Sequence, residues 1–308
     1  MLNKYIGEIM NKISIIIISS IFSLSFLGYS VAQSLEDNIV NKAIGVTNNF
    51  IGSKVSAFSE SLKSFDRIKY LDLDVQVQDS LKPTIGLTNV NSLYEGKSSA
   101  FFNQNSLSFH DEDQTINIGL GYRTLMNDDK LMLGGNLFFD YAFDEAHQRN
   151  GVGLEAISSV FDLRGNYYDA SSGIKTVAIN STEEALDGWD ARLDYHLPTS
   201  EDIRVFAGIF EFENTAGSYE LKGEKYGLDA RLGMTNIEAG YVDDNKQGDG
   251  AFVNVRIVIP LNNDIKKHTQ RAALEYVSVR DQLFTPVKRE NKIRIVKISP
   301  ANVIVSGF

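Results

Sequence analysis

Apolar and polar residues alternate along most of this chain, and the pattern is clearest over residues 114–126, QTINIGLGYRTLM. Apolar or bulky side chains occupy every second position there, separated by polar residues or glycine: Ile116, Ile118, Leu120 and Tyr122 against Asn117, Gly119, Gly121 and Arg123. A period of two predicts a strand whose faces meet different environments. Residues 127–130 form a predicted turn, and a second alternating run over residues 131–143 completes a predicted β-hairpin.

The same period recurs from residue 69 onward, and residues 189–197 carry it most regularly. We predict about twelve strands of about ten residues, near the even number and the length of outer-membrane barrel strands. The predicted strands lie within residues 71–77, 84–89, 99–109, 114–126, 131–143, 152–156, 161–167, 189–197, 203–212, 226–234, 237–241 and 251–261.

Acidic and basic residues occur together on the polar face of these strands, opposite a face rich in aromatic residues. A soluble sandwich also alternates, but a narrow barrel lumen favours mixed charges because partly desolvated groups must pair. The sequence therefore predicts an all-β fold, a transmembrane antiparallel β-barrel of about 12 strands preceded by a short N-terminal helix. The predicted lumen-lining residues are Arg123, Asp140, Glu155, Arg164, Asp190, Arg192, Asp194, Asp229, Arg231 and Arg256.

The first 64 residues do not show this alternation. Residues 1–32 resemble a signal peptide, with Lys4 and Lys12 before an apolar run and a small-residue cleavage site near Ala32, although a retained membrane anchor is the alternative. Residues 33–64 read as a periplasmic amphipathic helix that starts with a capping box at Ser34 and Asp37. A partly ordered linker is the alternative for this stretch. The barrel then covers residues 65–261, and residues 262–308 form a basic helix and linker.

Charge divides the chain into an acidic body and a basic tail. The net charge of the chain is −10. The predicted signal peptide has a net charge of +1. Residues 262–308 contain nine basic and four acidic residues, which gives +5 and leaves −16 for residues 33–261. Nucleic acid is an unfavourable partner because the acidic body would repel phosphate.

Residues that could carry catalysis are sparse. The chain has no cysteine and four scattered histidines, so we expect no metal and no cofactor. His147 follows Asp144 and Glu145, an arrangement that permits an acid–histidine pair, but we expect it to hold a loop or strand end instead. The closely spaced glycines Gly119 and Gly121, and Gly151 and Gly153, are not followed by the Lys-Ser/Thr pair and the helix of a phosphate-binding loop. We predict no enzyme activity, and we expect adjacent acids in turns, such as Glu183 and Glu184, to be solvated.

Loop lengths and aromatic residues suggest an orientation. Residues 171–187 and 214–225 are polar and long, which suits extracellular loops, whereas the turn at residues 127–130 suits the periplasmic side. Aromatic residues near strand ends are typical of interfacial girdles: Tyr141, Phe143, Tyr167, Tyr195 and Tyr241.

Residues 119–156, GLGYRTLMNDDKLMLGGNLFFDYAFDEAHQRNGVGLEA, resemble the barrel signature of the intimin/invasin inverse autotransporters. Residues 162–173, 188–198 and 283–293 are similar to further elements of that family, so the resemblance covers most of residues 63–298. The signature residues are Gly119, Gly121, Tyr122, Arg123, Asp140, Tyr141, His147, Gln148, Arg149 and Gly153.

The resemblance implies a type V secretion barrel of about twelve strands in the bacterial outer membrane, with a linker that threads the lumen to display a C-terminal passenger. It implies outer-membrane lipid, the barrel-assembly machinery and periplasmic chaperones as partners, and leaves the oligomeric state open. We expect no passenger domain in these residues, so the family's cell-adhesion role does not carry over. The chain would be an anchor and translocator for its own C-terminal segment, and a stand-alone structural or pore-forming barrel is the alternative.

The basic tail carries the distinction between these two functions. Residues 266–280 read as a helix, and residues 287–298 alternate apolar and basic residues in a segment long enough to cross most of a bilayer core. We expect an acidic lumen to hold this segment through charge pairing. A frayed periplasmic tail is the alternative.

Overall fold

The computed structural model describes residues 67–78, 82–110, 113–199, 202–215, 218–246, 250–259, 261, 276–298 and 303–306. Three predictions lie outside these ranges: the signal peptide, the helix over residues 33–64 and most of the helix over residues 266–280. Within the last of these, residues 276–279 are described and are irregular, so the predicted helix does not extend over them. In the described part of the chain, no helix has the length and apolar composition needed to cross a membrane.

Twelve strands close into one antiparallel barrel, which confirms the predicted barrel and its strand number. The barrel strands are β1 (Ile68–Gln78), β2 (Thr84–Glu95), β3 (Ser99–His110), β4 (Asp113–Met126), β5 (Leu131–Ala142), β6 (Gln148–Ser158), β7 (Phe161–Ala170), β10 (Asp187–His196), β11 (Asp202–Glu213), β12 (Glu220–Leu232), β13 (Thr235–Asp244) and β14 (Gly250–Val258). Each strand pairs with its neighbours in the chain, except that β7 pairs with β10, and β1 pairs with β14 to close the barrel.

A second, four-stranded sheet lies outside the barrel. Its strands β8 (Lys175–Ala178) and β9 (Ser181–Ala185) belong to the long connection between β7 and β10, and β15 (Ile295–Ile298) and β16 (Val303–Ser306) follow the barrel. The order is β16-β15-β9-β8, with β15 antiparallel to β9. This sheet joins the C-terminal region to the longest loop.

The two ends of the barrel have different connections. At one end, here called the short-turn end, the chain enters at Ile68 and leaves at Val258, and the connections are residues 96–98, 127–130, 159–160, 197–201 and 233–234. Asn127, Asp128 and Asp129 have positive φ angles there, which these short polar side chains tolerate in tight turns. The opposite end, here called the long-loop end, carries residues 143–147, 171–186 and 214–219 among its connections.

One predicted loop was too long. Residues 214–225 were expected to be irregular, but β12 already starts at Glu220. Leu221 is buried inside the barrel, whereas Lys222 and Glu224 point outward and are exposed. A strand that extends beyond the apolar band of its neighbours meets water on its outer face, and it then loses the apolar–polar contrast that sequence patterns detect. The last barrel strand ends at Val258, three residues before the predicted position 261.

Alternate residues of most barrel strands face opposite sides, and the two faces differ sharply in exposure. On the outer face, Leu137, Leu154 and Leu193 are 64%, 71% and 49% exposed, whereas inward-facing Arg123 and Asp194 are 0% exposed. The charged residues are therefore inside and the apolar residues outside, which is the reverse of a soluble sandwich.

This arrangement predicts how substitutions on the outer face depend on depth. Leu193→Arg, within the apolar outer face, should lower the free energy of unfolding in lipid vesicles by about 2–4 kcal/mol. Gln114→Arg, exposed near the long-loop end of β4, is the matched control and should cost about 0–1 kcal/mol. Urea titration would measure both, and equal costs would mean that the outer face does not meet hydrocarbon.

Candidate functional site: a chain segment inside the barrel

Residues 279–294, here called the lumenal segment, run through the barrel from one end to the other. At the short-turn end, the Val279 amide donates to the Asp129 carbonyl at 2.7 Å, and the Arg280 Nε donates to the Asp129 carboxylate at 2.8 Å. At the long-loop end, the Leu186 amide donates to the Arg294 carbonyl at 2.9 Å. Between them lies one short 3-10 helix, Arg280–Gln282, and otherwise irregular chain.

Arg123 on β4 binds the first part of this segment. Its guanidinium donates two hydrogen bonds to Glu155 on β6, at 2.6 and 3.2 Å. Its Nη1 donates to the backbone carbonyls of Gln282, Leu283 and Thr285 at 3.1, 3.0 and 2.6 Å. One buried cation therefore closes the turn of the segment and is neutralised by a carboxylate that the barrel supplies.

Asp140 on β5 is the centre of the lumenal contacts. Arg289 of the lumenal segment donates to both of its carboxylate oxygens, at 2.8 and 2.7 Å. Arg149 on β6 and Asn117 on β4 donate to the same carboxylate, each at 2.8 Å. Side chains of Asp140 and Arg149 are 0% exposed and that of Arg289 is 1% exposed, so this carboxylate is held by four charge-assisted bonds away from water.

Lys288 anchors the segment to the opposite wall. Its ammonium group lies 3.2 Å from Asp194 on β10 and 2.7 Å from Asp229 on β12. Asp194 is shared with Arg164 and Arg192, at 2.9 and 2.8 Å. Because Lys288 and Arg289 are consecutive, the segment is tied to opposite sides of the barrel at one level.

The backbone of the segment is satisfied mainly by side chains of the wall. The Val287 amide donates to Gln104 at 2.7 Å, and the Glu290 amide donates to the Tyr168 hydroxyl oxygen at 2.7 Å. Arg149 and Asn117 donate to the carbonyls of residues 290 and 291, at 2.6 and 2.7 Å. An irregular chain inside a barrel has no strand partner, so these side chains replace a sheet ladder.

Two signature glycines make room for aromatic rings beneath the segment. A Cβ at Gly119 would overlap the Phe138 ring, and a Cβ at Gly121 would overlap the Phe102 ring. Phe102 lies under the Arg123 guanidinium at 4.7 Å and Phe138 under that of Arg289 at 4.3 Å. The GLGYR motif thus combines a clamp with the space that its aromatic supports require.

The structure places the ten predicted lumen-lining residues on the inner wall, in three groups. Arg123, Asp140, Asp194 and Asp229 contact the lumenal segment. Glu155, Arg164, Arg192 and Asp190 bind the residues that do so. Arg231 and Arg256 line a cavity of about 320 Å³ beside the segment, where Arg256 lies 3.2 Å from Asp72. The segment therefore fills only part of the lumen.

Asn117, Gln104 and Tyr168 also contact the segment, although the sequence pattern did not single them out as site residues. Asn117 was visible as a polar position in the alternating run of β4, and selecting charged residues alone left it out. Gln104 lies in β3, where the irregular alternation does not show which residues point into the lumen. Tyr168 is an aromatic residue on the inner face, where its hydroxyl donates to Asp190 at 2.5 Å.

The remaining signature residues lie outside this contact network. Tyr122 faces outward and is 51% exposed, and the Tyr141 ring packs edge-on against Phe143 at 5.3 Å. Gln148 accepts a hydrogen bond from the Ser171 amide through its backbone carbonyl at 3.0 Å. A Cβ at Gly153 would lie 2.5 Å from the Asn166 side chain.

His147 joins the loops at the long-loop end. Its Nδ1 lies 3.1 Å from the Ser172 hydroxyl and its Nε2 lies 3.7 Å from Glu183. Burial lowers the pKa of His147, and Glu183 opposes that shift. The acid beside this histidine is therefore Glu183 of the long loop, which is remote in sequence from Asp144 and Glu145.

The expectation that Glu183 and Glu184 are solvated in a turn was wrong. Both lie in β9, and Glu184 is only 4% exposed. Its carboxylate accepts hydrogen bonds from the Asn214 side chain and the Thr215 amide, at 3.2 and 2.9 Å. Within the described ranges, no three acidic or histidine side chains come together as a metal site.

The fold and the site together define a closed twelve-stranded barrel with an apolar outer face, a charged inner wall and a C-terminal stretch of its own chain in the lumen. Residues 24–291 match the family described as "Inverse autotransporter, beta-domain", and the chain belongs to this family. It is therefore an outer-membrane β-barrel, as the resemblance of residues 119–156 implied.

Among curated proteins, the chain is similar to the inverse autotransporter adhesin YeeJ of Escherichia coli strain K12, with 29% identity over 167 residues. That match covers 53% of this chain and 7% of the relative, so the chain corresponds to a small part of that adhesin's length.

Solved structures support the fold alone. A chain solved in a study of the in-meso crystallization of membrane proteins aligns with a TM-score of 0.62 at 19% identity, over 74% of this chain and all of that one. The KdgM porin aligns at 8% identity over 61% of this chain and 98% of that one, with a TM-score of 0.44, too low to support an argument.

The central ion pairs predict unequal effects of two arginine substitutions. Arg289→Ala should lower the free energy of unfolding by about 3 kcal/mol, because it breaks a buried ion pair. The loss should not be larger, because Arg149 still neutralises Asp140. Arg280→Ala removes an exposed pair with Asp129 and should cost about 0–1 kcal/mol. Urea unfolding in lipid vesicles would measure both values. Similar losses would indicate that water screens the Asp140 cluster.

Proposed function

We propose that this protein is an outer-membrane anchor and translocator that carries its own C-terminal segment through the barrel lumen to the cell surface. The observation that carries the proposal is the course of residues 279–294, which start at the short-turn end and leave at the long-loop end. Short turns face the periplasm in barrels of this kind and long loops face the exterior. The segment then points outward, in the direction of export.

Charge complementarity supports a segment that is held rather than passed loosely through a pore. Lys288 and Arg289 each bind buried acids of the wall. The segment also continues into β15, which pairs with β9 of the long loop over four residue pairs, Ile295 to Ala185 through Ile298 to Thr182. A chain fixed at its centre and at its exit provides a stable base for residues displayed beyond it.

A stand-alone structural or pore-forming barrel is the second candidate, and the cavity of about 320 Å³ beside the segment favours it. This cavity is lined by charged groups, including Asp72, Asp74 and Arg256, which suits small polar solutes. The two candidates differ in whether the segment emerges and in whether it blocks conduction.

The proposed role includes no catalytic step. It requires outer-membrane lipid on the apolar face. It also requires the barrel-assembly machinery and periplasmic chaperones during biogenesis, because a barrel with exposed apolar side chains must be kept from aggregating before insertion. Adhesion would be the work of a displayed passenger domain and is no part of the role proposed for the barrel.

Single cysteines test the route of the segment, because the native chain contains none. Ser306→Cys in β16 should react with a membrane-impermeant maleimide on whole cells, as should Ile179→Cys, which is 93% exposed in the long loop. Ser98→Cys, exposed in a short turn, should react only after the outer membrane is permeabilised. Labelling at residue 179 without labelling at residue 306 would refute emergence of the segment and favour the stand-alone barrel.

Conductance in planar bilayers distinguishes a plugged barrel from a pore. We expect the native protein to conduct poorly, and the double variant Lys288→Ala/Arg289→Ala to conduct more, because both central anchors of the segment are lost. Arg280→Ala, which removes only the exposed pair at the short-turn end, is the control and should behave like the native protein. A native conductance equal to that of the double variant would support the pore.

A further inference from the structure

The outer face of β2 and β3 carries four asparagines in the middle of the barrel wall. Gln104 faces the lumen, where it binds Val287, so its neighbours Asn103 and Asn105 face outward. Register pairs Asn103 with Asn91 and Asn105 with Asn89, which places all four on the outer side. Asn103 also pairs with Leu120 of β4, an exposed outward residue.

The four amides are hydrogen-bonded to one another in a closed ring. Nδ2 groups donate from residue 89 to 91 at 3.1 Å, from 91 to 103 at 3.2 Å, from 103 to 105 at 3.1 Å and from 105 to 89 at 3.3 Å. Amides are among the least favourable groups to place against hydrocarbon. A ring of them on the lipid side of a barrel wall indicates a protein contact rather than lipid.

Burial of this region points the same way. Asn91, Asn103 and Asn105 are 0% exposed, whereas outward-facing Leu154 and Leu228 on other strands are 71% and 51% exposed. An apolar cluster on the same outer face is equally buried, with Leu71, Leu87, Leu107, Phe109 and Ile259 at 2–9% exposure. Among the described residues, the apolar side chains that pack with this cluster come from the same outer surface. Side chains of one sheet face do not bury each other completely, so this burial is typical of a sheet face that packs against another element.

We infer that residues 34–64 cover this face as a helix that lies along the outside of β1–β3, and not in the periplasm as the sequence alone predicted. The segment immediately precedes β1, which starts at Ile68 on this face, so only a few residues connect it to the site. Its 31 residues would span about 46 Å as a helix, more than the thickness of the hydrocarbon core.

The sequence of this segment matches the surface it would cover. Small and amide residues recur at spacings of three and four and define one side of the predicted helix, here called the small-residue side: Asn38, Asn41, Gly45, Asn48, Gly52, Ser56 and Ser59. Ile39, Ala43, Val46 and Phe50 lie across the helix from them. Small residues let a helix approach closely and asparagines supply hydrogen bonds in a membrane, while the apolar residues would face lipid.

Residues 262–275 fit this face less well. This stretch follows the barrel and precedes the lumenal segment, so both of its ends lie at the short-turn end. Its 14 residues would have to run along the face and return, which leaves about 10 Å of helix in each direction. A second copy of the chain could also pack on this face, and the experiment below distinguishes it from residues 34–64.

Disulfide trapping in the otherwise cysteine-free chain tests the inference. Leu107→Cys leaves the asparagine ring intact, and it would be combined in turn with a cysteine at each of the seven positions of the small-residue side. Leu107 lies eight residues from the start of β3, about 27 Å along the strand, which corresponds to about 18 helical residues before residue 64. We therefore expect an intramolecular disulfide at Gly45→Cys or Asn48→Cys in outer membranes treated with a mild oxidant.

Leu228→Cys, outward-facing on the far strand β12, is the matched control and should form no disulfide with the same positions. Folded protein would be selected by its gel mobility before heating, so that misfolded variants do not count. Disulfide-linked dimers of Leu107→Cys alone would assign the face to a second copy and overturn the inference. Absence of any disulfide between residue 107 and the small-residue side would overturn it as well. Neither result would alter labelling at residue 306, so this test is independent of the proposed function.

Discussion

The buried carboxylate of Asp140 is the interaction on which the lumenal arrangement depends. It accepts hydrogen bonds from Arg149 and Asn117 of the wall and from Arg289 of the segment. A carboxylate with a single partner would be costly in this setting, since desolvation of buried ions exceeds what one pair returns. The wall therefore already neutralises Asp140 through Arg149, and Arg289 of the segment supplies the remaining hydrogen bonds to this carboxylate. This makes the segment part of the barrel's interior packing.

The sequence predicts the barrel well because the side of the sheet to which each side chain points is a local property of the strand. Alternation over β10 assigns Asp194 to the lumen and Leu193 to the outside without knowledge of any other strand. The same reasoning cannot identify partners. Arg289 meets Asp140 across 149 positions of sequence, and the period of two reports only that Asp140 is inside. Complementary charge between tail and body predicted that such contacts form, but the pairs themselves required the structure.

Two features were predicted wrongly from the sequence and a third had a weak pattern, each for a distinct physical reason. Strand β12 extends past the apolar band, so its first residues are polar on the outer face and resemble a loop. Glu183 and Glu184 look solvated because their partners, Lys297 in β15 and Asn214 in the connection between β11 and β12, are distant in sequence. The outward asparagines of β2 and β3 blurred the alternation and made these strands look weak.

That blurred alternation is informative in itself. A barrel wall that faces lipid throughout needs apolar residues at every outward position, and β4 to β12 mostly meet this requirement. Residues 89, 91, 103 and 105 break it with four amides at adjacent positions, where each can bond another. A single polar outlier could be tolerated, but a mutually bonded group fixes the side chains and presents a level, polar surface. Such a surface is suited to a helix with small residues, and the chain carries one such pattern immediately before β1.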